Sequence, residues 1–384
     1  MNPWLPDALT ALRRALSGES SPLEFLPAEE GAPRWVERTD LEARGETAPA
    51  VVVRTSGSTG TPKETLLSAE NLRASAEATA GTLGGHGQWL LTLQPSYVAG
   101  LAVLTRSLLA GTEPAVLLEG TTDPEAFTAA AEELTHERRY VSLVPTQLQR
   151  LLQHDGTRLL AALRRFDAIL LGGGATSPEL FGRAQDLGLN VIRTYGMSET
   201  AGGCVYDGRP LPGVTVETEG TGTVLISGPM VAQGYLDPEL TAARFSTDPR
   251  GRRRYRTDDL GRLSPGGTLS ITGRADDVIN TGGVKVSAER IRQVLETDPQ
   301  VQEAFVAGVE DPEWGQQVAA VVASGAPGSE APDADQLRDR VRAGLGPAAA
   351  PKRIIMLPTL PRLANGKPDR QELLRLVRSL PPRE

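Results

Sequence analysis

Between residues 50 and 200, short aliphatic or β-branched runs alternate with stretches in which apolar residues recur every three or four positions. After Asp123-Pro124-Glu125, residues Phe127, Ala130, Ala131 and Leu134 share one helical face. The preceding three read as N-cap, first helical residue and first-turn acid. The run YVSLV at 140–144 predicts a buried strand. Thr146 is expected to open the next helix, with Leu148, Leu151 and Leu152 facing inward. The unit then repeats: a strand over 166–171, the turn GGGAT, a helix start at Ser177-Pro178-Glu179, and a strand over 190–194. Such alternation implies right-handed crossovers and a largely parallel sheet with helices on both faces. Ligands in that architecture gather at the carboxyl ends of the strands.

From Thr223 the texture changes to β-rich segments with turn signals. In LGRLSPGGTLSITGR, Pro265-Gly266-Gly267 separates two alternating strands. After Arg274 comes a run whose size, about one hundred residues, suits an independent small domain. It predicts helices over 287–296, 334–344 and 370–379, and strands over 303–309, 317–323 and 353–357. A Pro/Gly/Ser-rich loop spans 324–335. The expected fold is therefore α/β, with a large N-terminal domain over 1–275 that includes a β-rich subdomain. A small, mobile α+β C-terminal domain is expected over 276–384.

Composition narrows the function classes. The chain has 384 residues and a formal net charge of −8, with 40 basic and 48 acidic side chains. That balance disfavours a protein whose main business is coating nucleic acid or an anionic membrane, and favours a small-molecule partner. A single cysteine, Cys204, excludes an internal disulfide, and the three histidines form no cluster of metal-ligand spacing. A reducing cytoplasm is the expected setting. The N-terminus lacks a basic leader followed by an apolar stretch, and no run reaches bilayer length, so neither secretion nor membrane insertion is expected.

The stretch RTSGSTGTPKET at 54–65 concentrates chemistry. Gly57 and Gly60 admit positive φ, Ser56, Ser58, Thr59 and Thr61 carry hydroxyls, and Lys63 carries a charge. The pattern predicts a loop between a strand and a helix containing Leu66, Leu72 and Ala76, where a helix N-terminus favours phosphate. A Gly/Ser surface turn is the bland alternative. No Gly-Lys-Ser/Thr sequence closes the loop, which excludes a Walker A motif. The stretch GMSET around Ser198 lacks the closing glycine of a nucleophile elbow. Gly220-Thr221-Gly222 lacks the third glycine of a dinucleotide fingerprint. The basic run RGRRRYR at 250–256 could meet phosphates of coenzyme A but reads better as solvated surface.

Five ordered motifs resemble those of the acyl-adenylate-forming superfamily. TSGSTGTPK (55–63) is similar to its phosphate loop, YGMSE (195–199) to its adenine and magnesium motif, and YRTDD (255–259) to its ribose motif. GRADDVI (273–279) resembles its inter-domain hinge, and PRLANGK (361–367) the segment with its C-terminal catalytic lysine. The resemblance implies Mg2+ as a cofactor and ATP as a substrate, the ATP bound through Thr55, Ser56, Gly57, Ser58, Thr59, Gly60 and Lys63. Tyr195 would lie on the adenine, with Gly174 and Ala175 walling its other face, and Gly196 and Ser198 alongside. Glu199 would hold the magnesium. Asp259 would accept the ribose hydroxyls, and Arg274 would contact ribose or phosphate. Lys367 would offset charge as a carboxylate attacks the α-phosphate. Asp276 would be the hinge, and Gly282 and Gly283 would border the CoA channel.

Each of these residues also has an ordinary reading. Tyr195 is a core tyrosine at a strand end, Glu199 a helix-start acid, Asp276 an exposed turn acid and Lys367 a solvated turn lysine. Asp258 stands where the family has Gly, and Glu64 replaces Gly after the loop lysine. Within the superfamily, QPSYVAGL (94–101) and VSLVPTQLQRLL (141–152) look like the 2-succinylbenzoate:CoA ligases, with Tyr97 where many relatives have His. That implies an AMP-forming acid–thiol ligase with CoA as cosubstrate. Tyr97 and Gly100 would be near the acyl group, and a homodimer is left open. An adenylating ligase for another acid, with CoA or a carrier-protein thiol as acceptor, and an inactive nucleotide-binding homologue are the alternatives.

Overall fold

The structure, a computed structural model, describes residues 2–27, 32–41, 48–55, 63–154, 156–324, 332–362 and 368–379. Packing divides the chain into two compact units. The first comprises Met1–Glu217, Leu225–Arg256 and Ser264–Leu269, and the second Thr218–Val224, Thr257–Leu263 and Ser270–Glu384.

The first unit opens with α1 (Leu5–Ser17), whose Leu5, Ala8, Leu12 and Ala15 are buried along one stripe and whose end is closed by Gly18 in the left-handed region. Then come β1 (Leu23–Leu26), β2 (Arg34–Glu37), β3 (Val51–Thr55) and β4 (Lys63–Leu67), followed by α2 (Ala69–Leu83). Alternation of strand and helix continues through β5 (Gln88–Leu91), α3 (Val98–Ala110), β6 (Ala115–Val116), α4 (Pro124–Glu132), β7 (Arg139–Leu143), α5 (Pro145–Leu151), α6 (Thr157–Arg164), β8 (Ala168–Leu171), α7 (Pro178–Asp186) and β9 (Val191–Met197). The predicted caps form: Asp123 accepts from the Ala126 N–H and Ser177 from the Leu180 N–H. At α5 the opening residue is Pro145 rather than Thr146, because Gln147 reaches back to the Val144 N–H and caps the helix one residue earlier.

These elements build a seven-stranded sheet ordered β11-β10-β9-β8-β7-β5-β6, its edge made by β10 (Gly202–Tyr206) and β11 (Arg209–Pro210). The strands from β9 to β6 run parallel, and β10 and β11 turn antiparallel at the edge. Period-two alternation gives each strand two buried faces. Val141, Leu143, Ile169 and Leu171 meet Phe127, Leu148, Leu151 and Leu163 on one side. On the other, Trp89 packs against Tyr140 at 5.0 Å, and Tyr206 Oη lies 3.1 Å from Thr79 Oγ1 of α2. Cys204 on β10 is wholly buried, and burial pushes its thiol up to about 12.

The chain continues through β12 (Thr215–Glu219), β13 (Thr223–Ser227), β14 (Gly234–Tyr235), α8 (Pro238–Arg244), β15 (Phe245–Thr247) and β16 (Arg253–Leu263). β14 pairs with β4 and completes a five-stranded sheet ordered β14-β4-β3-β1-β2. β15 pairs antiparallel with the first residues of β16, Phe245 opposite Tyr255.

The second unit holds β18 (Val278–Thr281), β19 (Val284–Ser287), α9 (Ala288–Leu295), β20 (Glu303–Asp311), β21 (Gly315–Ala323), α10 (Ala334–Leu345), β22 (Arg353–Leu357) and α11 (Arg370–Arg378); β17 (Leu269–Arg274) leads into it. Its sheet is ordered β19-β18-β21-β20, with β22 parallel to β21. The unbroken apolar run of β21 serves two cores at once. Val318, Ala320 and Val322 pack with Ile291, Leu295, Leu337 and Val341, while Ala319, Val321 and Ala323 pack with Leu373 and Val377. The fold is thus mixed α/β as expected, and no helix among the described residues is long and apolar enough to cross a membrane.

Candidate functional site

The Gly/Ser/Thr-rich segment joins two antiparallel strands rather than a strand and a helix. Thr55 of β3 and Lys63 of β4 face each other as the last pair, and Ser56, Gly57, Ser58, Thr59 and Gly60 lie outside the described residues. The expectation of a helix immediately after the loop fails because Thr65, Leu66 and Leu67 are consecutively buried, as strand pairing on both sides requires. The following helix begins only at Ala69. Its N-terminus is served by its own Ser68 and Asn71, each accepting from the other's backbone N–H. Below the Thr55–Lys63 pair, Glu64 Oε1 accepts from Arg54 Nη2 at 2.8 Å and Arg38 Nη1 at 2.9 Å. Arg38 also reaches the buried Glu24 at 2.6 Å and Asp40 at 2.8 Å. This cluster fastens the stem of the loop, and it assigns work to Glu64, one of the residues that depart from the family pattern.

β9 carries Tyr195 and Gly196 to the carboxyl edge of the seven-stranded sheet. There the Met197 N–H donates to Thr200 Oγ1, and a short 3-10 turn, Ser198–Thr200, follows. Gly196 is required by close approach: a Cβ there would lie 2.1 Å from the Gly202 carbonyl oxygen on β10. The turn directs Glu199 inward, where it is 7 % exposed. Glu199 Oε1 accepts from Tyr235 Oη at 2.6 Å and Tyr255 Oη at 3.3 Å, and the two hydroxyls are 3.1 Å apart. Phe245 packs against both rings, with its centroid 5.2 Å from that of Tyr235 and 4.9 Å from that of Tyr255. Burial, and then the charge of Glu199, hold the Tyr235 hydroxyl well above the usual phenol range. Lys63 Nζ lies 5.6 Å from the centroid of the Tyr235 ring, so the loop lysine and the acid meet at one tyrosine.

One carboxylate fits the magnesium expectation. Magnesium keeps several waters and is usually held by one or two carboxylates plus phosphate oxygens rather than by an all-protein cage. Among the described residues no group of three or more His, Cys, Asp or Glu gathers to form such a cage. Both tyrosine hydroxyls that bond Glu199 do so through Oε1.

Gly174 and Ala175 are exposed in the loop that follows β8. The last residue of that strand, Leu171, pairs with Arg193, two positions before Tyr195 on β9. Tyr97 precedes α3 in an extended conformation, and burial pushes its hydroxyl up. Gly100 is explained by packing, since a Cβ there would lie 2.3 Å from the Leu93 carbonyl oxygen. In the second unit, Asp259 on β16 is buried, and Arg274 Nη1 lies 3.3 Å from its Oδ1 and Nη2 3.8 Å from Asp258 Oδ2. Gly282 and Gly283 form the turn between β18 and β19, where the Gly282 N–H donates to the carbonyl of the exposed Trp314 at 2.9 Å. Asp276 falls in a 3-10 turn, Ala275–Asp277, and Lys367 lies outside the described residues. Sequence reasoning gave Tyr255 no role of its own and missed Tyr235. A lone tyrosine after a glycine carries no periodic signal, and only the fold brings it to Glu199.

Comparison with known proteins places these observations. The profile described as "AMP-binding enzyme" matches residues 10–236, and "AMP-binding enzyme C-terminal domain" matches residues 291–367. A protein of Mycobacterium tuberculosis named "Probable 2-succinylbenzoate--CoA ligase" is 40% identical over 375 residues, covering 96% of this chain and 94% of the relative. The 2-succinylbenzoate–CoA ligase of Geobacillus kaustophilus is 32% identical over 352 residues, covering 85% and 69%. Among solved structures, o-succinylbenzoate CoA synthetase from Bacillus subtilis in complex with its acyl-adenylate intermediate aligns with a TM-score of 0.72 and 26% identity, over 91% of this chain and 72% of that one. An amide bond synthetase from Marinactinospora thermotolerans aligns with a TM-score of 0.74 and 28% identity, over 91% and 74%.

Proposed function

The chain belongs to the AMP-binding enzyme family, and from that premise we propose that it is an ATP-dependent 2-succinylbenzoate–CoA ligase. In the first half-reaction a carboxylate oxygen of 2-succinylbenzoate attacks the α-phosphorus of ATP. A P–O bond forms, the bond to pyrophosphate breaks, and the acyl-adenylate remains. In the second, the thiol sulfur of CoA attacks the acyl carbon, the thiol proton is lost, and AMP leaves with the C–O bond electrons. The reading is supported by 40% identity across nearly the whole of a relative with that name, and by a structural neighbour holding the corresponding acyl-adenylate. The observation that carries it is that Tyr235 is shared: Lys63, from the phosphate-loop stem, lies 5.6 Å from its ring centroid, and its hydroxyl donates to the buried Glu199 carboxylate at 2.6 Å.

Each residue then has a task. Lys63 and the hydroxyl-rich loop that includes Thr55, Ser56, Gly57, Ser58, Thr59 and Gly60 hold the phosphates. Glu199 holds magnesium, which when bound neutralises phosphate charge as pyrophosphate departs. Tyr195 lies on the adenine, with Gly174 and Ala175 across from it. Asp259 accepts the ribose hydroxyls with Arg274 as its partner, and Lys367 approaches the reacting carboxylate and α-phosphate. Asp276 is the pivot about which residues 276–384 turn between half-reactions, bringing the Gly282–Gly283 turn to the thiol. A cytoplasmic homodimer belongs to the same reading, with size-exclusion chromatography and light scattering as the check on the dimer.

The decisive experiment is CoA-thioester formation with 2-succinylbenzoate against benzoate, salicylate and medium-chain fatty acids. Preference for 2-succinylbenzoate supports the reading, and turnover of another acid in its place defeats it. With Lys367→Ala we expect loss of ATP-dependent adenylation while preformed acyl-adenylate is still converted with CoA; equal loss of both steps removes Lys367 from the first. The similarity to an amide bond synthetase keeps a second acceptor in view, and parallel reactions with an amine in place of CoA separate the two.

A further inference from the structure

Two tyrosines hold Glu199 by the same oxygen. Tyr235 Oη is 2.6 Å and Tyr255 Oη 3.3 Å from Oε1, and all three residues are buried, at 2 %, 4 % and 7 % exposure. The rings cannot drift, because Phe245 packs edge-on to Tyr235 and tilted against Tyr255. Tyr235 is further fixed through its backbone N–H, which donates to Thr241 Oγ1 at 2.8 Å. Glu199 itself is anchored by its carbonyl, which accepts from the Ala232 N–H at 2.9 Å. A carboxylate held by one oxygen has its plane and its second oxygen set before any ligand arrives.

We propose that Tyr235 and Tyr255 are positioning residues that pin Glu199 through Oε1 and present Oε2 to the cation on the nucleotide phosphates. The proposal rests on the reading of Glu199 as the magnesium ligand. Outer partners of this kind orient a ligand and tune its basicity, and their loss commonly costs about 10–100-fold in metal affinity. The shorter bond makes Tyr235 the principal anchor and Tyr255 the lesser one. The aromatic trio transmits no chemistry of its own.

Tyr235→Phe and Tyr255→Phe keep the rings and remove only the hydroxyls. Mn2+ is titrated into the full-length protein with a non-hydrolysable ATP analogue and read by electron paramagnetic resonance of the free ion. We expect Mn2+ affinity to fall about tenfold in Tyr235→Phe and less in Tyr255→Phe, with affinity for the analogue in EDTA unchanged. In acid-dependent pyrophosphate exchange, the Mg2+ concentration for half-maximal rate should rise in the same order while the rate at saturating Mg2+ stays within about twofold. Unchanged metal affinity in both variants, with Glu199→Gln losing it, overturns the proposal and spares the reading of Glu199. Unchanged affinity in Glu199→Gln overturns that reading itself. If Tyr235→Phe fails to give the near-ultraviolet circular dichroism of the native protein, Tyr255→Phe decides, and a rate lost equally at every Mg2+ concentration counts against positioning.

Discussion

At Gly196 a methyl group has nowhere to go, since it would meet the Gly202 carbonyl oxygen at 2.1 Å in the neighbouring strand. Gly196→Ala must push β9 and β10 apart, and overpacking of this kind costs about 1–3 kcal/mol. We expect a lower thermal midpoint and a larger loss of pyrophosphate exchange than the stability change alone accounts for, because Glu199 follows three residues later on the same backbone. At Cys204 the expectation concerns reactivity. Burial raises its thiol from 9.0 to about 12, so at pH 8 a maleimide or disulfide reagent should leave the native protein unlabelled and titrate one thiol after denaturation. Between about pH 9 and pH 12 the unfolded thiol has lost its proton and the buried one has not, so this group removes stability as pH rises through that window. Equilibrium urea melts at pH 8 and pH 10 of the natural chain against Cys204→Ala would expose the difference.

At the scale of elements, the β3–β4 hairpin joins the best-read motif to a misjudged surrounding. The motif itself was legible because hydroxyls, glycines and a lysine cannot be explained by a core. Its context was not, because Thr65, Leu66 and Leu67 form a short apolar run that fits a buried strand as well as the first turn of a helix. The helices of the second unit and of the α/β layers were legible, since their caps are local: Asp123 and Ser177 accept from N–H groups three residues away. The four-residue strands β1 and β2 were not, being too short for a period to show. Nor was the tyrosine pair, whose partners are 36 and 56 residues from Glu199 in sequence. The stem cluster makes a prediction of its own. Glu24, with 2% of its side chain exposed, bonds to Arg38, and removing one member of a buried pair costs about 3–5 kcal/mol. Glu24→Gln should lower stability by roughly 3 kcal/mol in denaturant melts, and should raise the KM for ATP more than it lowers kcat if the stem orients the loop.

For the whole molecule, the division into two units and the proposal of a pivot at Asp276 make the two half-reactions separable. Proline fixes φ and removes a backbone donor, so Asp276→Pro should slow single-turnover thioester formation from preformed acyl-adenylate more than it slows adenylation. Equal slowing of both would place the pivot elsewhere. The lone thiol of the chain opens a way to watch this directly. Because Cys204 is buried on β10 and holds its proton, the native protein should not have to be stripped of it before spectroscopic labels are attached. One new surface cysteine in each unit would then give a clean pair of reporters. The spacing between those reporters, followed through a turnover by dipolar spectroscopy or energy transfer, would become a stopwatch for the passage from adenylate to thioester.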